Sequence, residues 1–358
     1  MEAGPSLDLQ MLSEQQKKHR TNLWLAEHEA LVSTLLNAYL KRLEEGSVKR
    51  DEESFIEGTL LFFKVIGSKR GEYFGETLNG PLYPNQITEG WNQKHPQRPI
   101  TAWDQDMSWP CPPGWSSEDI QGSRVLTYQE TKPLSEGLDK LLLYPVAMDC
   151  AIVVQLSKWF GLRYVYGNRD FNIIFGYGSG KFKLTQNWAR PFNEAATDGN
   201  LLYAFYEDCS QITDPLTLRP RVQTVIMYNH PTYLAKHPAG SEELHNALKI
   251  DDCFIAFDPA ASRIMFSETE FDERLRQKYN LPRDSADLER LLLWRKLPHF
   301  VHPNYAPKSF GIMAEEADEY ENKQFSETEW KDAQIEREQA RSLHFNVAKL
   351  LNFCQKFL

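Results

Sequence analysis

The chain has 358 residues, of which 41% are hydrophobic and 25% charged, and its formal net charge at pH 7 is −10. This composition is typical of a globular protein that can bury a sizeable core, and the nine Trp and twenty Phe residues argue against a disordered chain. The excess of negative charge argues against binding to nucleic acid or to an anionic membrane, and no apolar run approaches the length of a membrane span.

The first part of the chain predicts two helices and then a long irregular stretch. Leucines at helical spacing predict a helix over Leu9–Leu43, and a second helix is predicted over Glu52–Val65. Gly67–Pro113 is rich in Gly, Pro, Asn and Trp and has no sustained period. We expect ordered loops there, because the aromatic side chains need a surface on which to pack.

The rest of the chain predicts a mixed region followed by a helical one. Helices are predicted over Leu134–Leu143 and Asp149–Phe160. The predicted strands are Phe171–Tyr177, Val222–Tyr228, Leu244–Ile250 and Cys253–Phe257. The predicted C-terminal helices are Ser285–Leu297 and Glu327–Leu358. We therefore divide the chain into an N-terminal helical region (1–70), Pro- and Trp-rich loops (71–124), a mixed core (125–266) and a C-terminal helical region (267–358).

The use of cysteine indicates a reducing compartment. The five cysteines are Cys111, Cys150, Cys209, Cys253 and Cys354. An odd number at scattered spacing is a poor disulfide framework, and the absence of any Cys-x-x-Cys pair argues against a structural zinc site. Met1–Pro5 lacks the pattern of a secretory signal, so we expect a cytoplasmic protein, with translocation by a non-classical route left open.

Cys150 stands where a helix is predicted to begin. Pro145 prevents the preceding helix from continuing, and Asp149 is a good N-cap residue, which places Cys150 in the first turn. A helix N-terminus stabilises a thiolate, and the N–H groups of its first turn are suited to hold an oxyanion. Cys150 is therefore the candidate nucleophile; the alternative is a buried core cysteine beside a capping aspartate.

The segment from Leu244 to Asp258 predicts a β-hairpin that turns at Asp251 and Asp252. With a two-residue turn, His245 lies opposite Asp258, and Cβ atoms in such pairs are about 4.5–5.5 Å apart. A carboxylate at that distance can fix the tautomer of an imidazole that acts as a base. Asp-Asp is a poorer tight turn than Asn-Gly, and a slip of one residue separates the pair onto opposite faces, so an ordinary surface hairpin is the alternative.

The remaining cysteines fit the role of nucleophile less well. Cys253 alternates away from His245 on the predicted hairpin, so we assign it to the core. Cys209 follows two acidic residues, which would raise the pKa of a thiol. Cys111 is flanked by prolines and is assigned to a loop.

Four further histidines compete as a base or as metal ligands. His230 and His237 each precede a proline in a predicted loop and are the main competitors of His245 as the base. His299 and His302 have the spacing of a metal-ligand pair, but nothing nearby in the sequence completes a ligand set. We therefore expect neither a metal nor a cofactor.

Several segments resemble the bacterial, spore-associated type of protein-glutamine gamma-glutamyltransferase. Pro133–Asp139 followed by Asp149–Val154 is similar to the family's Pro-Ser-Glu-Ala helix and Glu-Cys-Ala-Thr-Ala helix. Weaker similarities to its Phe-Asn-x-Leu-Phe, Asn-Pro, Gly-Glu-Asn-Val-Ile and Gly-His elements occur at Phe171–Phe175, Asn229–Pro231, Glu243–Leu248 and Phe257–Asp258. The match covers roughly residues 125–265.

The functional positions of that family are changed here in an informative way. His245 stands at the family's catalytic Glu position and Asp258 at its His position. The resulting Cys-His-Asp order is similar to that of classical transglutaminases and of bacterial effector deamidases that act on host glutamines.

The resemblance implies an α+β fold with a papain/transglutaminase-like core, in which a central helix bearing Cys150 packs on an antiparallel sheet, with N- and C-terminal helical extensions. It also implies a protein substrate with an accessible glutamine as acyl donor, and a lysine or water as acceptor. A cysteine protease or deubiquitinase with the same Cys-His-Asp site is the alternative, and a non-enzymatic binding module on the same fold is a further one. The oligomeric state is left open.

Overall fold

The fold combines helices with antiparallel β-sheets and is α+β, as predicted. The computed structural model describes residues 41, 48–67, 93, 101–102, 110–120, 123–144, 150–176, 182–185, 201–208, 221–240, 242–256, 265–300, 308–333 and 341–358. Within these residues, none of the helices is long and apolar enough to cross a lipid bilayer.

The helices are spread along the whole described chain. They are α1 Glu52–Gly67, α2 Leu134–Leu143, α3 Cys150–Phe175, α4 Tyr233–Lys236, α5 Glu268–Asn280, α6 Ser285–Lys296, α7 Phe310–Tyr320, α8 Glu327–Asp332 and α9 Val347–Gln355. A 3₁₀ helix covers Leu201–Phe205.

The strands are short and lie mainly in the middle of the chain. They are β1 Thr101–Ala102, β2 Pro110–Cys111, β3 Trp115–Ile120, β4 Ser123–Tyr128, β5 Phe182–Thr185, β6 Tyr206–Asp208, β7 Val222–Tyr228, β8 Leu244–Ile250, β9 Cys253–Ala256, β10 Met265–Phe266 and β11 Arg341–Phe345.

The chain forms two compact units that are interleaved in sequence. The first contains Met1–Gln223, Ile255–Ile264 and Leu343–Leu358, and the second contains Thr224–Phe254 and Met265–Ser342. The division into four regions made from the sequence stays a prediction.

The centre of the first unit is the packing of α1 against α3. Phe62 stacks on Phe160 with 4.9 Å between ring centroids. The two helices approach closely at Gly161, where an added Cβ would meet Thr59 Oγ1 and lie 2.9 Å from the carbonyl oxygen of Phe55. Glycine is required at this crossing because no side chain fits between the helices.

An antiparallel sheet of three strands, β3-β4-β5, packs on the same helix α3. Trp159 of α3 contacts Phe182 of β5 at 4.7 Å between ring centroids. Gln155 of α3 accepts a hydrogen bond from the backbone N–H of Thr185 and donates one to its carbonyl oxygen. The helix that begins at Cys150 therefore lies on an antiparallel sheet.

The prediction of a strand over Phe171–Tyr177 is wrong, because Phe171–Phe175 is helical. Gly167, with φ 65° and ψ 169°, divides α3 into two helical segments, and the second contains these residues. Phe171 and Phe175 are one helical turn apart and both contact the ring of Trp159, which explains their spacing.

Strands β7 to β10, which lie wholly or partly in the second unit, are neighbours in the order β10-β9-β8-β7. The predicted hairpin is present, with Leu244–Ile250 and Cys253–Ala256 joined by a two-residue turn. Asp251 has a φ of 52° in this turn, a conformation that Asp tolerates better than most residues. His245 to Leu248 are buried without interruption, so β8 is covered on both of its faces rather than on one.

Helices α4 to α8 also belong to the second unit. Phe271 of α5 contacts the rings of Phe254 and Phe266. The facing sides of α6 and α7 form an apolar cluster that consists of Leu291, Trp294, Phe310, Met313, Ala314 and Ala317.

The C-terminal prediction of one helix over Glu327–Leu358 is wrong in its middle. Residues 327–332 and 347–355 are helical, but Arg341–Phe345 is a strand that pairs antiparallel with β6. Leu343, Phe345 and Val347 follow one another at intervals of two residues. The apolar pattern there therefore fits the period of a strand as well as that of a helix. The predicted helix Leu9–Leu43 and most of the predicted loops lie outside the described residues.

Gly161→Ala tests the close crossing of α1 and α3. Inside a helix, this substitution ordinarily stabilises by about 0.5–1 kcal/mol. Here we expect the free energy of unfolding to fall by about 1–3 kcal/mol, because the methyl group overpacks the contact. Urea denaturation followed by circular dichroism measures the change. In the double variant with Thr59→Ala, which removes the obstructing Thr59 Oγ1 atom, the loss of stability caused by Gly161→Ala should be smaller. A Gly161→Ala protein more stable than the wild type would contradict the close approach of the two helices.

Candidate active site

Cys150 is the first described residue of α3 and lies half-buried in the first unit. It carries a thiol rather than a disulfide, as do Cys253 and Cys354. The helix behind it is buried from Ala151 to Tyr166. The proposed N-cap, Asp149, lies outside the described residues.

The buried helix also carries a lysine that the sequence reasoning did not single out. Lys158 Nζ donates to the hydroxyl oxygen of Tyr206 at 2.8 Å and lies 5.0 and 4.9 Å from the ring centroids of Tyr206 and Phe345. Complete burial lowers the pKa of Lys158 well below its ordinary value. It lies two turns from Cys150, about 12 Å along the helix axis, so it supports the interior and does not contact the thiol.

His245 lies in the second unit, buried at the start of β8, and a carboxylate holds it. Its Nε2 contacts Glu242 Oε2 within hydrogen-bond distance and lies 3.4 Å from Arg274 Nη1. The ring of Phe271 packs edge-on against the imidazole at 5.6 Å between centroids. Among the described residues, every hydrogen bond of the His245 ring is made at Nε2.

Glu242 is the centre of this group of charges. Besides His245, Arg274 Nη2 lies 3.4 Å from Oε2 and Lys278 Nζ lies 3.5 Å from Oε1. Burial raises the pKa of Glu242, but the nearby charges of His245, Arg274 and Lys278 outweigh burial and hold the pKa far below its ordinary value. Glu242 is therefore a carboxylate throughout the physiological pH range.

The predicted partner of His245, Asp258, lies outside the described residues, and its pairing with His245 stays a prediction. The carboxylate that the structure does place on the imidazole is Glu242, which the sequence reasoning missed. The one available clue was its position three residues before His245. Glu242 precedes the strand, and Arg274 and Lys278 of α5 approach the same carboxylate.

The two competing bases, His230 and His237, are both buried in the second unit. His237 Nδ1 lies 3.1 Å from Asp287 Oδ2, and its Nε2 lies 3.0 Å from the carbonyl oxygen of Tyr279. Both ring nitrogens are thus engaged, which argues against His237 as a proton acceptor. His230 is buried, and its Nδ1 lies 2.7 Å from Thr232 Oγ1.

The other cysteines are placed as follows. Cys253 is half-buried rather than in the core, and its thiol lies 3.7 Å from the carbonyl oxygen of Phe266. Cys354 is buried, and burial raises the pKa of its thiol to about 12, which argues against a nucleophile at neutral pH. Cys209 and the side chain of Cys111 lie outside the described residues.

Over the described ranges, no group of three or more His, Cys, Asp or Glu side chains could hold a metal ion. His299 follows α6, and its proposed partner His302 lies outside those ranges.

No protein-family model matches this chain, and comparisons with the curated proteins and with the solved structures give no significant match.

Glu242→Gln tests the charge group around His245. The variant keeps the shape of the side chain but removes a carboxylate that Arg274 and Lys278 both approach, and we expect a loss of about 2 kcal/mol of stability at neutral pH. Since the folded-state pKa of Glu242 lies below its ordinary value of 4.5, its stabilising effect is complete above that value and is lost as the pH falls further. The difference between variant and wild type should therefore narrow below about pH 4.5.

Denaturation curves at a series of pH values measure this difference. Glu268→Gln is the matched control, because that carboxylate is exposed and lies 4.0 Å from its partner Lys249. An exposed pair contributes less than about 1 kcal/mol. Equal losses for the two variants would contradict the importance of Glu242.

Proposed function

We propose that this chain is a thiol-dependent acyl-transfer enzyme that acts on glutamine side chains of proteins, with Cys150 as the nucleophile. One observation carries the proposal. Cys150 is a half-buried thiol at the start of a helix that is buried from Ala151 to Tyr166 and packs on an antiparallel sheet. This is the arrangement expected of a papain- or transglutaminase-like core, and we propose that relationship as part of the same hypothesis.

The position of Cys150 has direct chemical consequences. The partial positive charge at a helix N-terminus stabilises the thiolate, which is the reactive form. The N–H groups of a first helical turn lack intrahelical acceptors and point outward from the helix. They would stabilise the negative oxygen of a tetrahedral intermediate, which forms when the thiolate attacks a carbonyl carbon.

The proposed reaction passes through a thioester. The Cys150 thiolate attacks the side-chain amide carbon of a protein-bound glutamine, and the C–N bond breaks. In the catalytic triad predicted from the sequence, the departing nitrogen takes a proton from His245 and leaves as ammonia, which gives a thioester. A lysine amine or a water molecule then attacks the thioester, returns a proton and releases Cys150, which gives an isopeptide crosslink or a glutamate.

His245 is the proposed acid and base, and its contacts favour one of its two nitrogens. Glu242 engages Nε2, which leaves Nδ1 for proton transfer. The Glu242 carboxylate would fix the tautomer and stabilise the imidazolium when the ring takes up a proton. The joint action of Cys150, His245 and Asp258 remains a prediction from the sequence.

Replacement of the nucleophile gives the first test. Cys150→Ala should abolish ammonia release from a glutamine-rich protein such as casein, because no thioester can form. Cys253→Ala is the matched control, since this thiol is also half-buried but lies in the β8–β9 hairpin, and its activity should stay near that of the wild type. Release by Cys150→Ala at the wild-type rate would end the proposal.

The same incubation distinguishes amide transfer from proteolysis and deubiquitination, and a labelling experiment tests for a binding module. Peptide fragments from casein, or free ubiquitin from ubiquitin conjugates, would indicate a protease or a deubiquitinase. Ammonia without fragments indicates amide transfer. A binding module without activity predicts that iodoacetamide does not label Cys150 selectively at neutral pH.

The residue that positions His245 can be identified by comparing two conservative variants. If Glu242 is the positioning residue, Glu242→Gln lowers kcat by about tenfold or more with little change in KM, because only the orientation and charge of the ring change. Asp258→Asn should then have a smaller effect. The opposite order would assign the role to Asp258, as the sequence predicted. Circular dichroism at the assay temperature shows that both variants are folded.

A further inference from the structure

Helix α6 presents leucines to solvent on the side opposite to its packed face. Its packed face is formed by Leu291 and Trp294, which are nearly fully buried. Leu288, Leu292, Leu293 and Leu297 are between 42% and 51% exposed. Isolated exposed leucines are normal, but three on one short helix and a fourth at its C-cap form a largely apolar face, which indicates an interaction surface.

Two charges lie between these leucines, and they have opposite signs. Glu289 and Lys296 are two helical turns apart, so they project from the same side of α6. Both are exposed, and within the described part of the chain neither takes part in an ion pair. The apolar face therefore carries a negative charge near one end and a positive charge near the other.

This order of residues is complementary to itself when two copies run antiparallel. A two-fold axis passing beside the middle of α6, between Leu292 and Leu293, brings Glu289 of one copy level with Lys296 of the other, because the two residues lie equally far from that centre. The same operation places Leu292 of one copy against Leu293 of the other, and Leu288 against Leu297. Two-fold dimers require such a self-complementary patch, and the two crossed ion pairs fix the direction of the helices.

We propose that this face of α6 is the interface of a homodimer, formed by antiparallel packing of α6 from two copies of the chain. The inference does not depend on the proposed enzymatic function. A helix of 12 residues is about 18 Å long and about 10 Å wide with its side chains, so the contact is smaller than a standard interface of roughly 1,600 Å². The dimer is therefore weak and dissociates at low concentration.

Sedimentation equilibrium of the full chain over a wide concentration range tests the proposal. The average mass should rise from that of one chain towards that of two. Leu292→Glu combined with Leu293→Glu should weaken the dimer by more than about tenfold, because charges then replace the central apolar contacts. Leu281→Glu is the matched control, since Leu281 is 51% exposed but precedes α6, and it should leave the dimer unchanged.

Charge reversal tests the antiparallel register itself. Glu289→Lys alone should weaken the dimer by about threefold to tenfold, because it places lysines opposite each other twice. The swapped variant, Glu289→Lys with Lys296→Glu, should restore dimerisation to within about twofold, since opposite charges again face one another. The substituted positions are exposed, so all variants should keep the circular dichroism spectrum of the wild type.

A wild-type chain that remains a monomer at all concentrations would overturn the proposal. A dimer that persists in the Leu292→Glu, Leu293→Glu variant would also overturn it, because another surface would then be responsible. Failure of the swapped variant to recover would overturn the antiparallel register.

Discussion

The burial of α3 between Ala151 and Tyr166 is the constraint on which the first unit depends. A helix covered on all sides is stabilised when its charged and amide side chains find partners inside the protein, since an unpaired buried group is costly. The amide and the two cations of this stretch each have such partners: Gln155 in the backbone of Thr185, Lys158 in the hydroxyl of Tyr206, and Arg163 in Asp139 and Asn168. These contacts join the helix to its neighbours and fix its N-terminal residue, Cys150, relative to the sheet.

The charge group around His245 obeys the same rule in a different way. A histidine and an arginine that are nearly buried are kept together by one carboxylate, Glu242, which lies close to both. Burial of these charges is costly, and the attraction between the Glu242 carboxylate and its cationic neighbours offsets that cost. An imidazole held at one nitrogen is suited to proton transfer at the other. The same contact with Glu242 also stabilises the fold around β8.

The elements that could be predicted are those with a clear local pattern. Leu134–Leu143 and Val222–Tyr228 agree with the structure at both ends, and the hairpin with its turn at Asp251 was also predicted. The β3–β4 hairpin was missed because its strand Trp115–Ile120 is mostly polar and lacks apolar alternation. The β11 strand was missed because its residues match two periods, and only the pairing with β6 decides between them.

For the candidate site, local patterns placed Cys150 on a helix and His245 on a strand, but they could not reveal Glu242. The contact between Glu242 and His245 is stabilised by Arg274 and Lys278, which lie far along the chain on another element. Contacts of this kind depend on tertiary packing and leave no periodic trace in the sequence.

The interleaving of the two units has a consequence for protein synthesis. Helix α9 belongs to the first unit, where the Tyr166 hydroxyl donates to the Leu351 carbonyl oxygen and Phe353 packs on Phe205. These partners emerge from the ribosome early, whereas α9 emerges only after the second unit has been translated. During translation of the second unit, the surface of the first unit that α9 later covers therefore stays exposed to solvent. Partly folded chains with exposed apolar surface are prone to aggregate.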